Sequence, residues 1–181
     1  ISFNPLVSIP DSARTRAALE KLEHFTTIDF FLSETAQHAD VVLAGSLQEE
    51  DEGTVTTGEG RCVRLRPVVS PPAEARVDWH IIADLAQRLG AGKHFAHESA
   101  GEIFEELTAA SAGGPIDYSG MSYERIENEM GIFWPCPASN HPGTPRLFTD
   151  GKFPPRRGRA KFPGDPYRPG GEDVDLCLVK A

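Results

Sequence analysis

Apolar and polar residues along this chain change period several times, and each period predicts a different element. After Pro10, Asp11 or Ser12 can cap a helix running to about His24, with Ala17, Ala18, Leu19 and Leu22 on its inner side. Phe25 to Leu32 is a β-prone apolar run of strand length with Asp29 in its middle. Ser33 then starts a short helical turn, S-E-T-A-Q-H-A, with Glu34 near its positive end. Asp40 to Ala44 is a brief apolar run of the kind that fills a buried parallel strand, and it breaks at Gly45-Ser46. Strand, helix and strand on this scale predict a parallel sheet with helical crossovers.

Thr54 to Thr57 and Cys62 to Arg66 are β-prone, but Gly58 and Gly60 interrupt them, so they read as a surface excursion. Asp78 opens an amphipathic helix through Leu89, with Ile81, Ile82, Leu85 and Leu89 on one stripe and Gly90 as its stop. Another helix spans roughly Ser99 to Ala110. From Gly113 the character changes. Only Tyr123 to Met130 there looks helical, and 131–171 is rich in Pro and Gly. So much irregular chain is unusual inside a compact domain, which implies that it wraps over another part of a larger protein. The opening at Ile1, inside a loop-like phrase, suggests a piece of a longer chain.

Composition narrows the function classes. With 181 residues, 39% hydrophobic and 25% charged, the chain reads as a soluble globular domain able to bury a core. No apolar run approaches the roughly 20 residues needed to span a bilayer, and no secretory signal opens the chain. The net charge of -9 argues against nucleic acid. Acidity gathers at Glu49, Glu50, Asp51 and Glu52, but without the alternating ligand order of a calcium loop. Three dispersed cysteines, Cys62, Cys136 and Cys177, give neither a disulfide framework nor a four-thiolate cluster, and point to the cytoplasm. His94 and His97 lack an H-E-x-x-H context, while His141 and Cys136 sit in Pro-rich loops. A G-x-S-x-G elbow is missing. The sequence therefore offers no catalytic residue and no metal ligand.

Several phrases, in order, carry a family resemblance. They are N-P-L-V-S-I-P-D at 4–11, D-F-F-L-S-E-T-A-Q-H-A-D-V-V-L-A at 29–44 and E-E-D-E-G-T-V-T-T-G-E-G-R at 49–61. P-P-A-E-A-R-V-D-W at 71–79, W-P-C-P at 134–137, H-P-G-T-P-R-L-F at 141–148 and G-R-A-K-F at 158–162 follow. Together they resemble the catalytic subunits of the bis-molybdopterin-guanine-dinucleotide oxidoreductases, which include nitrate reductases and formate dehydrogenases. Ala44-Gly45 departs from the family's proline-led turn, Leu47-Gln48 lacks its common tryptophan, and Thr57 stands where asparagine is frequent. Arg156-Arg157 replaces a typical turn pair.

The resemblance implies an α/β fold, a parallel-sheet, doubly wound Rossmann-like portion over 1–112 that binds molybdopterin guanine dinucleotide. An irregular wrapping segment over 113–171 and the start of a C-terminal cap domain over 172–181 follow it. The implied function is the cofactor-binding part of a molybdenum oxidoreductase, nitrate reductase-like, with a formate dehydrogenase-like subunit or a non-catalytic scaffold as alternatives. An iron–sulfur cluster is expected in a part of the subunit that this sequence lacks. The implied partners are the remainder of the same catalytic subunit and an electron-transfer subunit.

A dinucleotide lies across the carboxyl ends of parallel strands, where its pyrophosphate needs N–H groups, hydroxyls and small residues. Asn4, Ser8, Gly45 and Ser46 are suitable types there. One carboxylate can accept two neighbouring guanine N–H donors, and Asp78 occupies the family position for that contact. Asp29, or the adjoining Ile28 backbone, would face ribose and guanine, and Glu50 would orient its loop. Each has a plainer reading: Asp78 as helix cap, Asp29 as a strand-end acid tied to loop amides, Gly45 and Ser46 as turn residues, Glu50 as a solvated charge.

Overall fold

A computed structural model describes residues 1–153. The chain opens with a single helical turn, α1 (Pro5–Ser8), and a short helix, α2 (Ser12–Leu19). Asp11 caps α2 by accepting the Arg14 N–H at 3.0 Å. The helix stops well before His24; its Ala17 and Ala18 are exposed, and so is Leu22 beyond its end. The inner face expected for it finds no covering among the described residues.

Strand β1 (Thr26–Asp29) pairs in parallel with β2 (Val41–Ala44), from Thr26 opposite Val41 to Asp29 opposite Ala44. The crossover between them holds a 3-10 turn at Ala36–His38, as the S-E-T-A-Q-H-A phrase predicted. β1 is shorter than its apolar run. The Asp29 carboxylate accepts the Phe31 N–H and the Ser33 hydroxyl, and this Asx-type closure turns the chain out of the sheet. Phe30, Phe31 and Leu32 are left exposed. β2 also differs from expectation, since Val41 and Val42 are exposed rather than buried.

The two Gly-interrupted segments form a hairpin, β3 (Gly53–Thr56) against β4 (Arg61–Leu65). This is no surface excursion. Cys62 of β4 is 1% exposed, at the heart of the main core. The hairpin turn at 57–60 places Gly58 and Gly60 where they do not disturb the inward face.

Helix α3 (Asp78–Arg88) follows the predicted bounds and ends at Gly90, whose φ of +79° suits a residue without Cβ. Only Ile81 and Ala86 of it are buried, while Leu85 and Leu89 face out. Helix α4 (Ala100–Ser111) is capped by Ser99, which accepts the Glu102 N–H, and α5 (Tyr123–Asn128) by Ser122 in the same way. A two-residue strand, β5 (Ile132–Phe133), adds to β4 antiparallel.

Cys62, Phe104, Met121, Ile126, Ile132 and Cys136 form the largest buried cluster, with Tyr118, Tyr123 and Trp134 packed around it. Burial pushes the Cys62 thiol above its ordinary pKa, as a thiol with an apolar lining should behave. The irregular stretch that begins at Gly131 was expected to wrap over another part of a larger protein. Residues 131–145 instead complete this unit's own core. Arg125 is the reason: its guanidinium donates to the carbonyls of Gly120 at 2.5 Å and His141 at 3.1 Å. Backbone that lacks a ladder partner is thereby satisfied.

Residues Ile1–Pro145 make one compact unit, and a second begins at Arg146. Among the described residues of the second, the rings of Phe148 and Phe153 lie 4.8 Å apart. Cys177, Arg156-Arg157, the G-R-A-K-F phrase and the expected cap strand lie outside the described residues. Among those described, no helix is long and apolar enough to cross a membrane.

Candidate functional site

Asp29 and Ala44 stand in register at the carboxyl ends of β1 and β2, so the loops leaving both strands emerge at one edge. The start of α3 comes to the same edge, where Arg76 donates its N–H to the Ala44 carbonyl at 3.0 Å. Asp78 is the first residue of α3. Val77 takes the cap position, and no side chain caps the helix. The Asp78 carboxylate reaches away instead, accepting the Ser46 N–H on Oδ1 and the Ser2 hydroxyl on Oδ2, each at 3.2 Å. The cap reading of Asp78 therefore fails on geometry.

Gly45 makes this approach possible. A Cβ built there would collide with Asp78 Oδ1 and lie 3.0 Å from the Ile28 side chain. Its N–H is fixed by the Asp29 carbonyl at 3.2 Å. Ser46 is 7% exposed, and its hydroxyl, without a hydrogen-bond partner among the described residues, is not itself fully buried. It lines a cleft of about 480 Å³ together with Ser2, Phe30, Gln48, Glu49, Asp51 and Asp78.

Glu50 is buried and turned into its own loop, accepting the Leu47 N–H at 2.9 Å. It shapes the turn that carries Ser46 and is not a solvated charge. Asp51, next to it, lines the cleft. Burial pushes its carboxyl up. The Glu52 N–H on Oδ1, at 2.6 Å, counters this in part, the negative charge of Asp78 adds to it, and His80 opposes it.

The other sequence-chosen residues form a second group. Thr35 donates its hydroxyl to Asn4 Oδ1 at 2.5 Å, and Asn4 donates to Glu34 at 2.7 Å, holding that carboxyl below its ordinary range. Thr35 in turn accepts the Leu6 N–H. Asn4 thus anchors α1 to the crossover turn. Asp29 is spent on Phe31 and Ser33, the strand-end role named among its plainer readings. Ser8 is exposed at the end of α1 and lies outside the cleft. Gly45, Ser46 and Asp78 are the chosen residues that the fold brings together at the cleft.

Sequence reasoning missed Ser2, Phe30, Gln48, Glu49 and Asp51. Phe30 was hidden in an apolar strand pattern, and nothing in four consecutive acids distinguishes Glu49 and Asp51, which line the cleft, from Glu50 and Glu52. Among the described residues no group of three or more His, Cys, Asp or Glu is arranged to hold a metal ion.

Residues 1–88 match the family described as Molybdopterin oxidoreductase. The chain is 55% identical over 148 residues to the assimilatory nitrate reductase catalytic subunit of Bacillus subtilis, covering 81% of this chain and 21% of that protein. It is 38% identical over 175 residues to the F420-dependent formate dehydrogenase 2 subunit alpha of Methanococcus maripaludis, covering 97% and 25%. The chain thus spans about a fifth to a quarter of the length of these relatives. Among solved structures, acetylene hydratase from Pelobacter acetylenicus superposes with a TM-score of 0.55 at 24% identity, over 71% of this chain and 17% of that one. That likeness speaks for the mixed α/β fold with its parallel strands.

Proposed function

Because this chain belongs, through residues 1–88, to the molybdopterin oxidoreductase family, we propose that it is the part of a catalytic subunit that holds the guanine end of a molybdopterin guanine dinucleotide. The observation that carries this reading is the Asp78 carboxylate, fixed by the Ser46 N–H and the Ser2 hydroxyl at the rim of a cleft where two parallel strands end. A carboxylate held by two donors keeps a free lone pair on each oxygen. Guanine presents two neighbouring N–H donors at the matching spacing.

The residues fit such a group. Gly45 leaves the space the carboxylate needs, Ser46 offers an unused hydroxyl, and Phe30 is 40% exposed beside them as an apolar surface for a base. Asn4, Asp29 and Glu50 hold the surrounding loops in place. Ser8 remains a candidate only for a more distant part of the dinucleotide. The sheet is completed by further strands of the same subunit to give the doubly wound Rossmann-like form. The exposed Val42, and the groove of about 450 Å³ between β2 and α3 that holds Leu43 and Leu85, agree with that.

When bound, the molybdopterin group supplies the two-electron redox chemistry, and this segment supplies binding and orientation. The reaction is nitrate to nitrite, as the name of the 55% identical relative indicates. Formate oxidation is the second reading, since formate dehydrogenase alpha subunits match as much as 97% of the chain. The partners are the remainder of the catalytic subunit, which holds an iron–sulfur cluster, and an electron-transfer subunit. The free, buried thiols of Cys62 and Cys136 agree with a cytoplasmic setting.

The test is Asp78→Asn in the intact enzyme. Asparagine can still accept the Ser46 N–H, so the loop survives, but it turns a donor toward a guanine donor. Guanine-dinucleotide content under limiting cofactor should fall at least about tenfold, one decade being 1.4 kcal/mol. Full cofactor loading in the variant would remove Asp78 from the role.

A further inference from the structure

We propose that the segment of the subunit immediately before Ile1 is a strand that pairs in parallel with the outer edge of β1 and is joined to it through α1 and α2. This rests on the reading that the chain is part of a longer catalytic subunit. It adds which edge of the two-stranded sheet is extended, in which direction and by which segment.

Backbone groups along a strand point alternately to one side and the other, so each edge can be followed residue by residue. The carbonyls of Phe25 and Asp29 accept the N–H groups of Val41 and Gly45 at 3.3 and 3.2 Å, so Phe25, Thr27 and Asp29 face β2. Thr26 and Ile28 therefore face away from it. The Ile28 carbonyl already has a partner there, the Ser2 N–H at 2.8 Å. The Ile28 N–H and both backbone groups of Thr26 have none among the described residues.

From Ser2 the chain runs toward the carboxyl end of β1. The Ser2 hydroxyl reaches Asp78, and Asn4 accepts from Thr35, in the crossover beyond Asp29. Residues before Ile1 accordingly approach from the amino end, in the direction of β1 itself. In a parallel ladder, a residue whose carbonyl accepts from one position donates its own N–H two positions earlier. With Ser2 on the Ile28 carbonyl, the Ile28 N–H is aimed at the residue just before Ile1, and the Thr26 carbonyl at that residue's N–H.

The connection is long enough, since residues 3–25 hold α1 and α2 and parallel strands need roughly a dozen residues or more between them. It also gives α2 something to cover. Ala17 and Ala18 are exposed, as are Ile1 and Phe3, and a right-handed crossover packs its helix back onto the sheet it joins. The opposite edge is a poorer host. The outward carbonyl of Ala44 in β2 is taken by the Arg76 N–H at 3.0 Å, which brings the loop before α3 across that edge.

The experiment is residue-resolved hydrogen exchange on the intact enzyme, with the melting of Thr26→Pro and Val42→Pro measured beside wild type. The Thr26 and Ile28 N–H groups should exchange at least about tenfold more slowly than that of Val42, the outward N–H of β2. Neither proline removes a bond between β1 and β2, because both N–H groups point outward. Thr26→Pro should therefore lower the melting temperature clearly more than Val42→Pro does, and a Thr26→Pro enzyme that fails to fold leaves the wild-type exchange rates to decide. Fast exchange at Thr26 and Ile28 with Val42 protected overturns the proposal and leaves a longer sheet built on β2. Equal slowing at all three, or equal loss from the two prolines, overturns the choice of edge. Fast exchange at all three removes the added strand and the longer sheet together, whatever Asp78→Asn does to cofactor content.

Discussion

Asp78 and Ser46 stand 32 residues apart in the sequence, yet the Ser46 N–H donates to the Asp78 carboxylate at 3.2 Å. That bond joins the first turn of α3 to the loop leaving β2. It makes one rigid rim out of two elements, and the rim holds its carboxylate in place before any ligand arrives. A charged acceptor shortens and strengthens such a contact relative to a neutral one.

The rim depends on the residue between them. Gly45 does not have a positive φ, so alanine is conformationally allowed there and would ordinarily stabilise the chain by about 0.4–1 kcal/mol. The added methyl would instead strike Asp78 Oδ1 and crowd Ile28. Gly45→Ala should therefore destabilise by about 1–3 kcal/mol, the usual cost of overpacking, and lower guanine-dinucleotide content of the intact enzyme in parallel. Urea denaturation gives the sign, and a stabilised variant would mean that Asp78 does not need this approach.

Burial at Asp51 should cost the ligand-free chain stability at neutral pH. Its carboxyl is raised in the fold, chiefly by burial, so the charged form is disfavoured relative to the unfolded chain, where an aspartate titrates near 3.9. The cost is complete above the raised folded pKa and vanishes as pH falls below the unfolded value. Asp51→Asn should accordingly raise the melting temperature of the ligand-free chain at pH 7. The gain should shrink on acidification and disappear near pH 4. A variant no more stable than wild type at pH 7 would contradict this.

Asp117 titrates in the opposite sense. Its carboxylate accepts the Ser119 hydroxyl at 2.5 Å and the Ser119 and Gly113 N–H groups at 2.8 and 2.7 Å, which lowers its pKa. Stability from a depressed carboxyl is complete above the unfolded value, near 3.9, and is lost as pH falls through the folded one. Asp117→Asn should lower the melting temperature at pH 7, and the difference from wild type should close only in strong acid. Equal melting of the two forms at pH 7 would show that the 113–119 loop is held by other contacts.

What the sequence disclosed follows the reach of its patterns. The helix from Asp78 was legible because Ile81, Ile82, Leu85 and Leu89 recur at helical spacing and Gly90 closes it, and β2 because V-V-L-A is uniform. The role of Asp78 could not be read as geometry, since its partners Ser2 and Ser46 lie far away in sequence. The hairpin was misjudged because Gly58 and Gly60 look like breakers, when they only form the turn that delivers Cys62 to the core. Asp51 was hidden among like charges. Cys136, between two prolines and fully buried, has no periodic signal at all, for it is placed by hydrogen bonds rather than by an apolar stripe.

Those bonds converge on Arg125, whose loss should release the irregular run. Its Nη1 donates to the Gly120 carbonyl at 2.5 Å and lies 3.6 Å from Cys136 Sγ. Nη2 donates to the His141 carbonyl at 3.1 Å, and Nε to Glu129 at 2.8 Å. The Glu129 pair is at the surface and contributes little. Bonds from a charged donor to carbonyls are worth about 1.5–3 kcal/mol each, and here they are what fixes residues 138–141 to α5. Lysine keeps the charge but presents one compact ammonium in place of a planar fork, so it cannot serve Gly120 and His141 together. Arg125→Lys should therefore lower stability almost as far as Arg125→Met, and both should open the 134–144 stretch to limited proteolysis while 26–44 stays resistant. Denaturation curves and mass mapping of the first cleavage sites provide the measurement. If Arg125→Lys stays as stable and as protected as wild type, charge alone suffices and the forked contact is not what orders the run.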